Sequence, residues 1–294
     1  MANTHQRGIV VGIDGSPGSA AALAWAVGRV PRHGVIQPVA TWRFPWWTQS
    51  GPAALTLPPR FEELEAMAIA QAETVLAEVP ENARRPLLTV EAAAGPTLVA
   101  HGADADLIVV GTRGRNAVTD TLLGSVSGYV VHHATVPAAV VPLGTVPAAI
   151  DGDVVVGVDG SANGVEALAW ALTHSEAGET VIAVHAWTSA ISVFDDRPPD
   201  PGGHFESAAQ ATLDDAVARA TAQVGSFRGR LEPRLVEGDP RQVLAELVGP
   251  ERILALGARG RHGLAHAVLG SVTTSLVHRP AGPTVVVPGS SSDD

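Results

Sequence analysis

The amino-acid sequence predicts an α/β protein made of two tandem copies of one domain, each a five-stranded parallel sheet flanked by helices. The first observation behind this prediction is an internal duplication that spans most of the 294 residues. The second is the alternation of short β-branched runs with helical stretches, which is typical of parallel sheets because each crossover between parallel strands takes a helix. The third is a glycine-rich motif that occurs once in each half.

The duplication is visible in blocks that recur at a nearly constant spacing. The segment VVGIDGS, which starts at Val10, returns as VVGVDGS at Val155, an offset of 145 residues. The segment LGSV, which starts at Leu123, returns at Leu269, an offset of 146 residues. Because unrelated segments would not keep one offset, the chain repeats a single unit. We predict that the two domains cover residues 1–145 and 151–290.

Both units follow the same order of elements. A β-branched run predicts a buried first strand in each. Ser16 followed by Pro17 predicts a helix start, with the serine as N-cap and the proline in the first turn, and Ser161 takes the cap position in the second copy. The remaining periodicities predict these elements: first strands 9–13 and 154–158, second strands 35–40 and 181–186, long helices 61–78 and 205–224, third strands 87–92 and 231–236, a short helix, fourth strands 107–110 and 253–256, last helices 125–133 and 271–278, and fifth strands 138–141 and 284–287.

The motif G-x2-G-x9-G-S follows the fourth strand and ends where the last helix begins. Glycines at a strand end let the backbone turn sharply and approach a ligand closely. A glycine–serine pair at a helix start offers unpaired amides and a hydroxyl, which suit phosphate. The alternative is that the glycines only make turns, and two copies with identical spacing disfavour it. The motif residues are Gly111, Gly114, Gly124 and Ser125, and in the second unit Gly257, Gly260, Gly270 and Ser271.

A glycine and an aspartate end the first strand of each unit: Gly12 with Asp14, and Gly157 with Asp159. Ligands of open parallel sheets bind beyond the carboxyl ends of the strands, so strands one and four bring their motifs to the same edge. There we expect the carboxylates to accept hydrogen bonds from ribose hydroxyls or to help hold a phosphate-bound metal. Helix capping alone is the alternative, and a dual role is the preferred interpretation.

These motifs resemble the universal stress protein family, and in particular its ATP-binding subclass marked by G-x2-G-x9-G-[ST]. The resemblance spans nearly the whole chain. It implies Rossmann-like domains with strand order 3-2-1-4-5, and ATP at the carboxyl edge. It also implies adenine contacts at Ala40 and Ala186 after the second strands, where we expect Pro38 to distort the first unit's site.

The resemblance extends the site to residues beside the glycines. It implies phosphate contacts at the motif glycines and serines, and backbone or wall contacts at Val110, Val126, Leu256 and Val272. Arg113 and Arg259 lie between the first two glycines of each motif, where a guanidinium could bind phosphate. A solvated loop charge is an equally good interpretation of these arginines.

Composition excludes several classes of function. The formal net charge of −11 disfavours nucleic-acid or anionic-membrane partners, which need a basic face. The chain contains no Cys and no Lys, which excludes thiol catalysis, Cys–zinc sites, a Walker-type phosphate loop and Lys Schiff bases. We also expect no dedicated metal site. No apolar run reaches membrane-spanning length and the first residues are polar, so we expect a cytoplasmic protein.

The sequence thus predicts a binding protein rather than an enzyme, without catalytic residues. The hypothesis is a nucleotide-dependent stress-response sensor that binds ATP with Mg²⁺ in each unit, and whose occupancy changes its choice of a regulatory protein partner or of a homodimer. The alternatives are a slow ATP hydrolase and a nucleotide-free protein-interaction module.

Overall fold

Each repeat contains five parallel strands in the computed structural model, which describes residues 8–43, 60–112, 114, 123–145, 152–188, 203–260 and 269–289. The chain divides into two units, Met1–Leu143 and Gly144–Asp294. Strands and helices alternate along both units, so the predicted α/β class and the tandem Rossmann-like architecture are confirmed.

The first unit orders its strands β3-β2-β1-β4-β5, and all neighbouring pairs are parallel. This is the order that the resemblance implies. In chain order the elements are β1 (Ile9–Gly12), α1 (Pro17–His33), β2 (Ile36–Trp42), α2 (Phe61–Leu76), a 3-10 turn (Glu81–Ala83), β3 (Leu88–Glu91), α3 (Ala94–Gly102), β4 (Leu107–Gly111), α4 (Ser125–His133) and β5 (Ala138–Val141).

The second unit repeats this arrangement, with its strands in the order β10-β9-β6-β7-β8 and parallel pairing throughout. Its elements are β6 (Val154–Gly157), α5 (Ala162–Thr173), β7 (Thr180–Trp187), α6 (His204–Val224), β8 (Arg230–Glu237), α7 (Pro240–Val248), β9 (Ile253–Gly257), α8 (Ser271–His278) and β10 (Thr284–Val287).

The central strands are buried on both faces because helices cover the sheet from two sides. In the first unit α1 and α2 pack together, and α3 and α4 pack together on the opposite face. The second unit pairs α5 with α6 and α7 with α8 in the same way. Leu107, Ile108 and Val109 in β4 are completely buried, as is expected of a strand between two helical layers. This layering leaves the carboxyl ends of the strands open for a ligand.

Serine caps start the first helix of each unit as predicted. The Ser16 hydroxyl accepts a hydrogen bond from the Ser19 amide at 3.1 Å, and Pro17 occupies the first turn of α1. The Ser161 hydroxyl accepts from the Gly164 amide at 3.1 Å at the start of α5. Each cap satisfies one of the amides that a helix start leaves unpaired, so both helices begin directly after the turn that carries the aspartate.

Two strands contain a proline, and the hydrogen-bond pattern shows why each is tolerated. In β2 the carbonyls of Ile36 and Trp42 accept from the β3 side, so the nitrogen of Pro38 points to that side too. Regular pairing with β3 begins only at Val39, beyond the proline. At the two ends of β8, the amide of Arg230 donates to the Glu179 carbonyl and that of Gly238 to the Trp187 carbonyl, both on the β7 side, so the nitrogen of Pro233 points away from the sheet. Neither proline removes a hydrogen bond from a paired stretch.

Candidate functional site

A cavity lies at the carboxyl ends of the strands in each unit, where the duplicated motifs meet. Cavity 1, in the first unit, has a volume of about 620 Å³, and cavity 2, in the second unit, has a volume of about 560 Å³. Both volumes fall within the range of roughly 300–1,000 Å³ that is typical of small-molecule sites. The position of both cavities agrees with the general rule for ligands of open parallel sheets.

The two carboxylate oxygens of the aspartate after the first strand have different contacts. Asp14 Oδ1 accepts a hydrogen bond from the Ser16 amide at 3.0 Å, which fixes the turn before α1. Asp159 Oδ1 accepts from the Ser161 amide at 3.0 Å and from the Ser161 hydroxyl at 2.5 Å. Neither aspartate caps a helix, because the following serines do so. Both aspartates line their cavities.

The second oxygen of each aspartate lies against the second glycine of the motif. A Cβ built on Gly114 would stand 2.6 Å from Asp14 Oδ2, and one built on Gly260 would stand 2.6 Å from Asp159 Oδ2. Contacts of this length are shorter than any that real Cβ atoms make. The glycine therefore lets the loop after the fourth strand pass directly over the carboxylate, and the two motifs form one site in each unit.

The first turn of the last helix turns its backbone amides to the cavity. In α4 the first intrahelical bond runs from the Gly128 amide to the Gly124 carbonyl at 2.8 Å, which leaves the amides of residues 125–127 without an intrahelical acceptor. No side chain among the described residues caps this helix or α8. The residues that carry these amides, Ser125, Val126 and Ser127, line cavity 1, and Ser271, Val272 and Thr273 line cavity 2.

One amide that the sequence predicts to be free for phosphate already donates a hydrogen bond within the protein. The Gly124 amide donates to the Thr112 carbonyl at 2.8 Å, and the Gly270 amide donates to the Ala258 carbonyl at 2.9 Å. These bonds close the loop between the fourth strand and the last helix. The expectation that Gly124 itself offers a free N–H is therefore wrong, because this amide closes the loop. The amides without an intrahelical acceptor begin at residue 125.

A second hydroxyl in the first helical turn strengthens this closure. Ser127 donates its hydroxyl to the carbonyls of Thr112 and Gly124, at 3.1 and 3.0 Å. Thr273 donates to the Gly257 carbonyl at 2.8 Å. Both side chains are buried, and both tie the helix start to the end of the fourth strand. This pair was not predicted from the sequence, although its 146-residue offset is the offset of the glycine motif.

The first glycine of the motif is required by packing. A Cβ on Gly111 would meet the backbone carbonyl oxygen of Gly18 at 2.5 Å, and one on Gly257 would meet the backbone of Asn163 at 2.5 Å. These backbones belong to the first turns of α1 and α5, which therefore approach the strand end closely. Backbone cannot move aside as a side chain can, so this glycine holds the helix against the sheet as well as lining the cavity.

The structure brings most of the predicted site residues together. In cavity 2 all ten predicted residues line the wall: Gly157, Asp159, Ala186, Leu256, Gly257, Arg259, Gly260, Gly270, Ser271 and Val272. In cavity 1 eight of the ten do so: Gly12, Asp14, Val110, Gly111, Gly114, Gly124, Ser125 and Val126. Ala40 is buried and does not line the cavity, and Arg113 lies outside the described residues.

Ala40 and Ala186, which were predicted to have the same role in the two units, do not occupy equivalent positions and differ by one residue. Gly12 pairs with Val39 in the first sheet and Gly157 pairs with Val184 in the second, so Thr41 is the structural counterpart of Ala186. Thr41 and Val39 line cavity 1, and the side chain of Ala40 between them faces the other side of the sheet. The duplication changes its offset between the second and third strands, and this shift explains the mismatch.

The apolar side of each cavity was not predicted. The second turn of the short helix contributes Leu98 to cavity 1 and its counterpart Leu244 to cavity 2. Cavity 1 is also lined by Trp42 at the end of β2 and by Leu64 and Met67 from α2. The periodicity of α2 indicates one apolar face, but sequence alone does not tell whether that face covers the core or a cavity.

One pKa at the edge of cavity 2 departs from its ordinary value. Asp239 precedes α7, whose first residue Pro240 lines the cavity. The Arg241 side chain donates to both carboxylate oxygens, at 3.0 and 2.7 Å, and the Arg241 amide donates at 2.8 Å. These hydrogen bonds favour the charged form and hold the pKa of Asp239 below its ordinary value of 3.8.

Two further observations bear on the class of site. Among the described residues, no three His, Cys, Asp or Glu side chains come together in a group that could hold a metal ion. None of the described helices contains an apolar segment long enough to cross a membrane.

Comparison with known proteins extends the likeness to the whole chain. The model of the Universal stress protein family matches residues 6–142 and 152–288. A universal stress protein of Mycobacterium tuberculosis is 32% identical over 300 residues, covering 96% of this chain and 97% of that protein. A second universal stress protein of the same organism is 30% identical over 314 residues, covering 95% of this chain and 94% of that protein.

A solved structure has the same fold. The crystal structure of a universal stress protein from Archaeoglobus fulgidus matches with a TM-score of 0.62 at 19% identity, and the match covers 97% of this chain and 100% of that one. The two family matches coincide with the two units that carry the cavities. The chain is a tandem-domain member of the universal stress protein family.

Proposed function

We propose that each cavity binds an adenine nucleotide, ATP with Mg²⁺, and that the protein is a nucleotide-dependent regulator of a stress response rather than an enzyme. The observation that carries the proposal is the pairing, in both cavities, of an uncapped helix start with an aspartate held over a glycine. Family membership supports it independently.

The helix start provides the phosphate side of the proposed site. The three N-terminal amides of α4, like those of α8, carry partial positive charge that the helix dipole reinforces. An anionic phosphate would satisfy the donors that no described side chain caps. The Ser125 and Ser271 side chains are exposed at this point and add a hydroxyl each. We assign the triphosphate to this wall, with Arg259 as a further contact in cavity 2.

The aspartate provides the ribose side. Oδ1 of Asp14 fixes the turn before α1, and we assign Oδ2, which lies beside Gly114, to the ribose hydroxyls. The same assignment holds for Asp159. The apolar lining beyond the strand ends, which includes Val39 in cavity 1 and Val184 in cavity 2, is then left for the base.

The residues present fit Mg²⁺ only as part of a nucleotide complex. Mg²⁺ is commonly held by one or two carboxylates together with substrate phosphates and waters. The one carboxylate that lines each described cavity is assigned to the ribose, and no larger cluster occurs among the described residues, so the ion would be held through the phosphates and water. Bound Mg²⁺ would neutralise part of the triphosphate charge, and the chain itself supplies the amides and the aspartate.

A titration of the full chain with ATP tests the proposal. Isothermal titration calorimetry in the presence of Mg²⁺ should give up to two sites per chain, with AMP binding more weakly because it lacks the outer phosphates. Protein that ignores ATP at millimolar concentrations would overturn the proposal and favour a nucleotide-free interaction module. A single-turnover assay on the bound complex should show phosphate release no faster than in buffer. Steady release well above that rate would instead identify a slow hydrolase.

The regulatory part of the proposal has its own test. A ligand shifts a conformational or binding equilibrium only if it binds the two states with different affinity. Sedimentation velocity with and without ATP should therefore show a change in oligomeric state, or pull-down experiments should show a change in the proteins retained. Identical behaviour in both assays would leave a nucleotide-binding protein without the proposed regulation.

A further inference from the structure

We propose that the two cavities are unequal, and that Met67, with Leu64 and Trp42, makes cavity 1 the tighter nucleotide site by giving the base a flat apolar wall. This inference rests on the proposed nucleotide binding. It concerns residues that differ between the repeats, whereas the glycine motif and the aspartate are shared.

The difference begins with the long helix. In the first unit α2 contributes a wall to cavity 1, which we call the α2 wall: Leu64, Met67, Ala68 and Gln71. In the second unit no residue of the corresponding helix α6 lines cavity 2. Both helices are fully described, so the comparison covers the same element in both repeats.

The contacts of two equivalent glycines show which residues of α2 and α6 correspond. Gly15 and Gly160 follow the aspartates and have φ values of 75° and 81°. A Cβ on Gly15 would meet Gln71 at 2.9 Å, and one on Gly160 would meet Thr212 at 2.8 Å. Four residues before these contacts, one helical turn nearer the helix start, the first unit has Met67 and the second has Ala208. A long thioether side chain is thus replaced by a methyl group.

The aromatic wall differs as well. Trp42 lines cavity 1, and its ring packs edge-on against Phe61, the first residue of α2, with centroids 6.1 Å apart at 63°. Its counterpart Trp187 ends β7 at the same register position but does not line cavity 2. Trp42 therefore belongs to the wall of cavity 1, whereas Trp187 does not belong to the wall of cavity 2.

The chemistry of the α2 wall suits a purine ring. A thioether and an indole ring both offer polarisable surface, and sulfur makes favourable contacts with aromatic rings. Met67 is 54% exposed although it lines cavity 1, so a base seated against it would remove apolar surface from water. Ala208 cannot provide this contact. Cavity 1 thus gains affinity from the base, while the helix-start amides contact the triphosphate in both cavities.

The test measures each cavity separately. Gly260→Ala, which crowds Asp159, is used to silence cavity 2, and Gly114→Ala is used to silence cavity 1. In the Gly260→Ala background, Met67→Ala should weaken ATP binding roughly five- to tenfold. Ile69→Ala is the matched control, because Ile69 lies two residues away on the same helix, is partly exposed and does not line the cavity. In the Gly114→Ala background, Ala208→Met should tighten binding by about twofold or more.

A second measurement does not depend on the silencing variants. ATP should change the tryptophan fluorescence of the unaltered chain at the lower of two concentration ranges, and Trp42→Phe should remove that early change. Two equal affinities, with Met67→Ala behaving like Ile69→Ala, would overturn this inference while leaving nucleotide binding intact. An unchanged affinity for Ala208→Met would also overturn the assigned role of the side chain. No ATP binding by the unaltered chain would overturn the proposed function itself.

Discussion

Asp14 and Gly114 lie 100 positions apart in the sequence, yet the carboxylate oxygen Oδ2 of the aspartate occupies the space beside the glycine that a side chain would fill. Asp159 and Gly260 repeat this relationship at the same 2.6 Å. The aspartate after strand one and the glycine after strand four are therefore in direct contact, and a substitution at one position must affect the other.

Replacing Gly114 with alanine should damage the site and spare the fold. The new Cβ would push the Asp14 carboxylate away, and Gly114 does not have the positive φ that would make alanine strained. We expect ATP affinity at cavity 1 to fall about tenfold or more, by analogy with the loss of a charge-assisted hydrogen bond. Calorimetry measures the affinity, and thermal unfolding should change little.

Gly128→Ala is the matched control for this substitution. Gly128 lies inside α4, and its added Cβ would have only an ordinary 3.7 Å contact with Leu123. Alanine in a helix interior should stabilise the unit by roughly 0.5–1 kcal/mol. ATP affinity should stay unchanged. Equal losses of affinity in both variants would show that the Asp14–Gly114 contact has no special role.

Replacing Gly111 should have the opposite balance of effects. Its added Cβ would collide with the backbone of Gly18 in α1, which cannot rotate away. Overpacking of this kind costs about 1–3 kcal/mol, so the midpoint of urea unfolding should fall clearly for Gly111→Ala. A variant as stable as the unaltered chain would contradict the close approach of helix and strand end.

Asp14→Asn separates the two oxygens of the aspartate. An asparagine oxygen can still accept from the Ser16 amide at the Oδ1 position, so the turn before α1 should persist. The charge at the Oδ2 position is lost, and a charge-assisted hydrogen bond to a ribose hydroxyl becomes a neutral one of roughly half the strength. We expect weaker ATP binding with an almost unchanged unfolding midpoint. Loss of stability comparable to that of Ser16→Ala, about 1 kcal/mol for a removed N-cap, would assign Asp14 a mainly structural role.

The cap of α7 should make stability depend on pH. Because Arg241 lowers the pKa of Asp239 in the folded state, the charged carboxylate stabilises the protein above its ordinary pKa of 3.8. That stabilisation is lost as the pH falls through the lowered folded-state pKa. Asp239→Ala should therefore be less stable by about 1 kcal/mol at pH 7, and the difference should shrink below pH 3.8. Urea unfolding at several pH values measures it, and a difference independent of pH would exclude this role for the charge.

Much of the fold could be predicted because its signals are local or duplicated. The N-caps at Ser16 and Ser161, the β-branched strands and the glycine motif all depend on short segments, and they are found where the sequence predicts them. The strand order came with the family resemblance, since local periodicity does not report which strands are neighbours. The positions of the motif residues around each cavity then follow from the parallel sheet.

The parts that were missed depend on contacts between distant segments. The one-residue step between Ala40 and Ala186 is set by strand register, which a shifting repeat offset conceals. The use of the Gly124 amide in loop closure depends on where Thr112 lies. The α2 wall depends on which residues of α2 and α6 occupy equivalent positions beside the first-strand turn, and the contacts of Gly15 and Gly160 reveal that correspondence.

Pro233 has a consequence for how the protein behaves at high concentration. β8 is the terminal strand of its sheet order, and the nitrogen at residue 233 points outward without a hydrogen. A foreign strand that tried to dock along this border would lack a donor at the middle of the ladder. The proline thus makes the eight-residue border of β8 a poorer template for pairing with a strand of another chain.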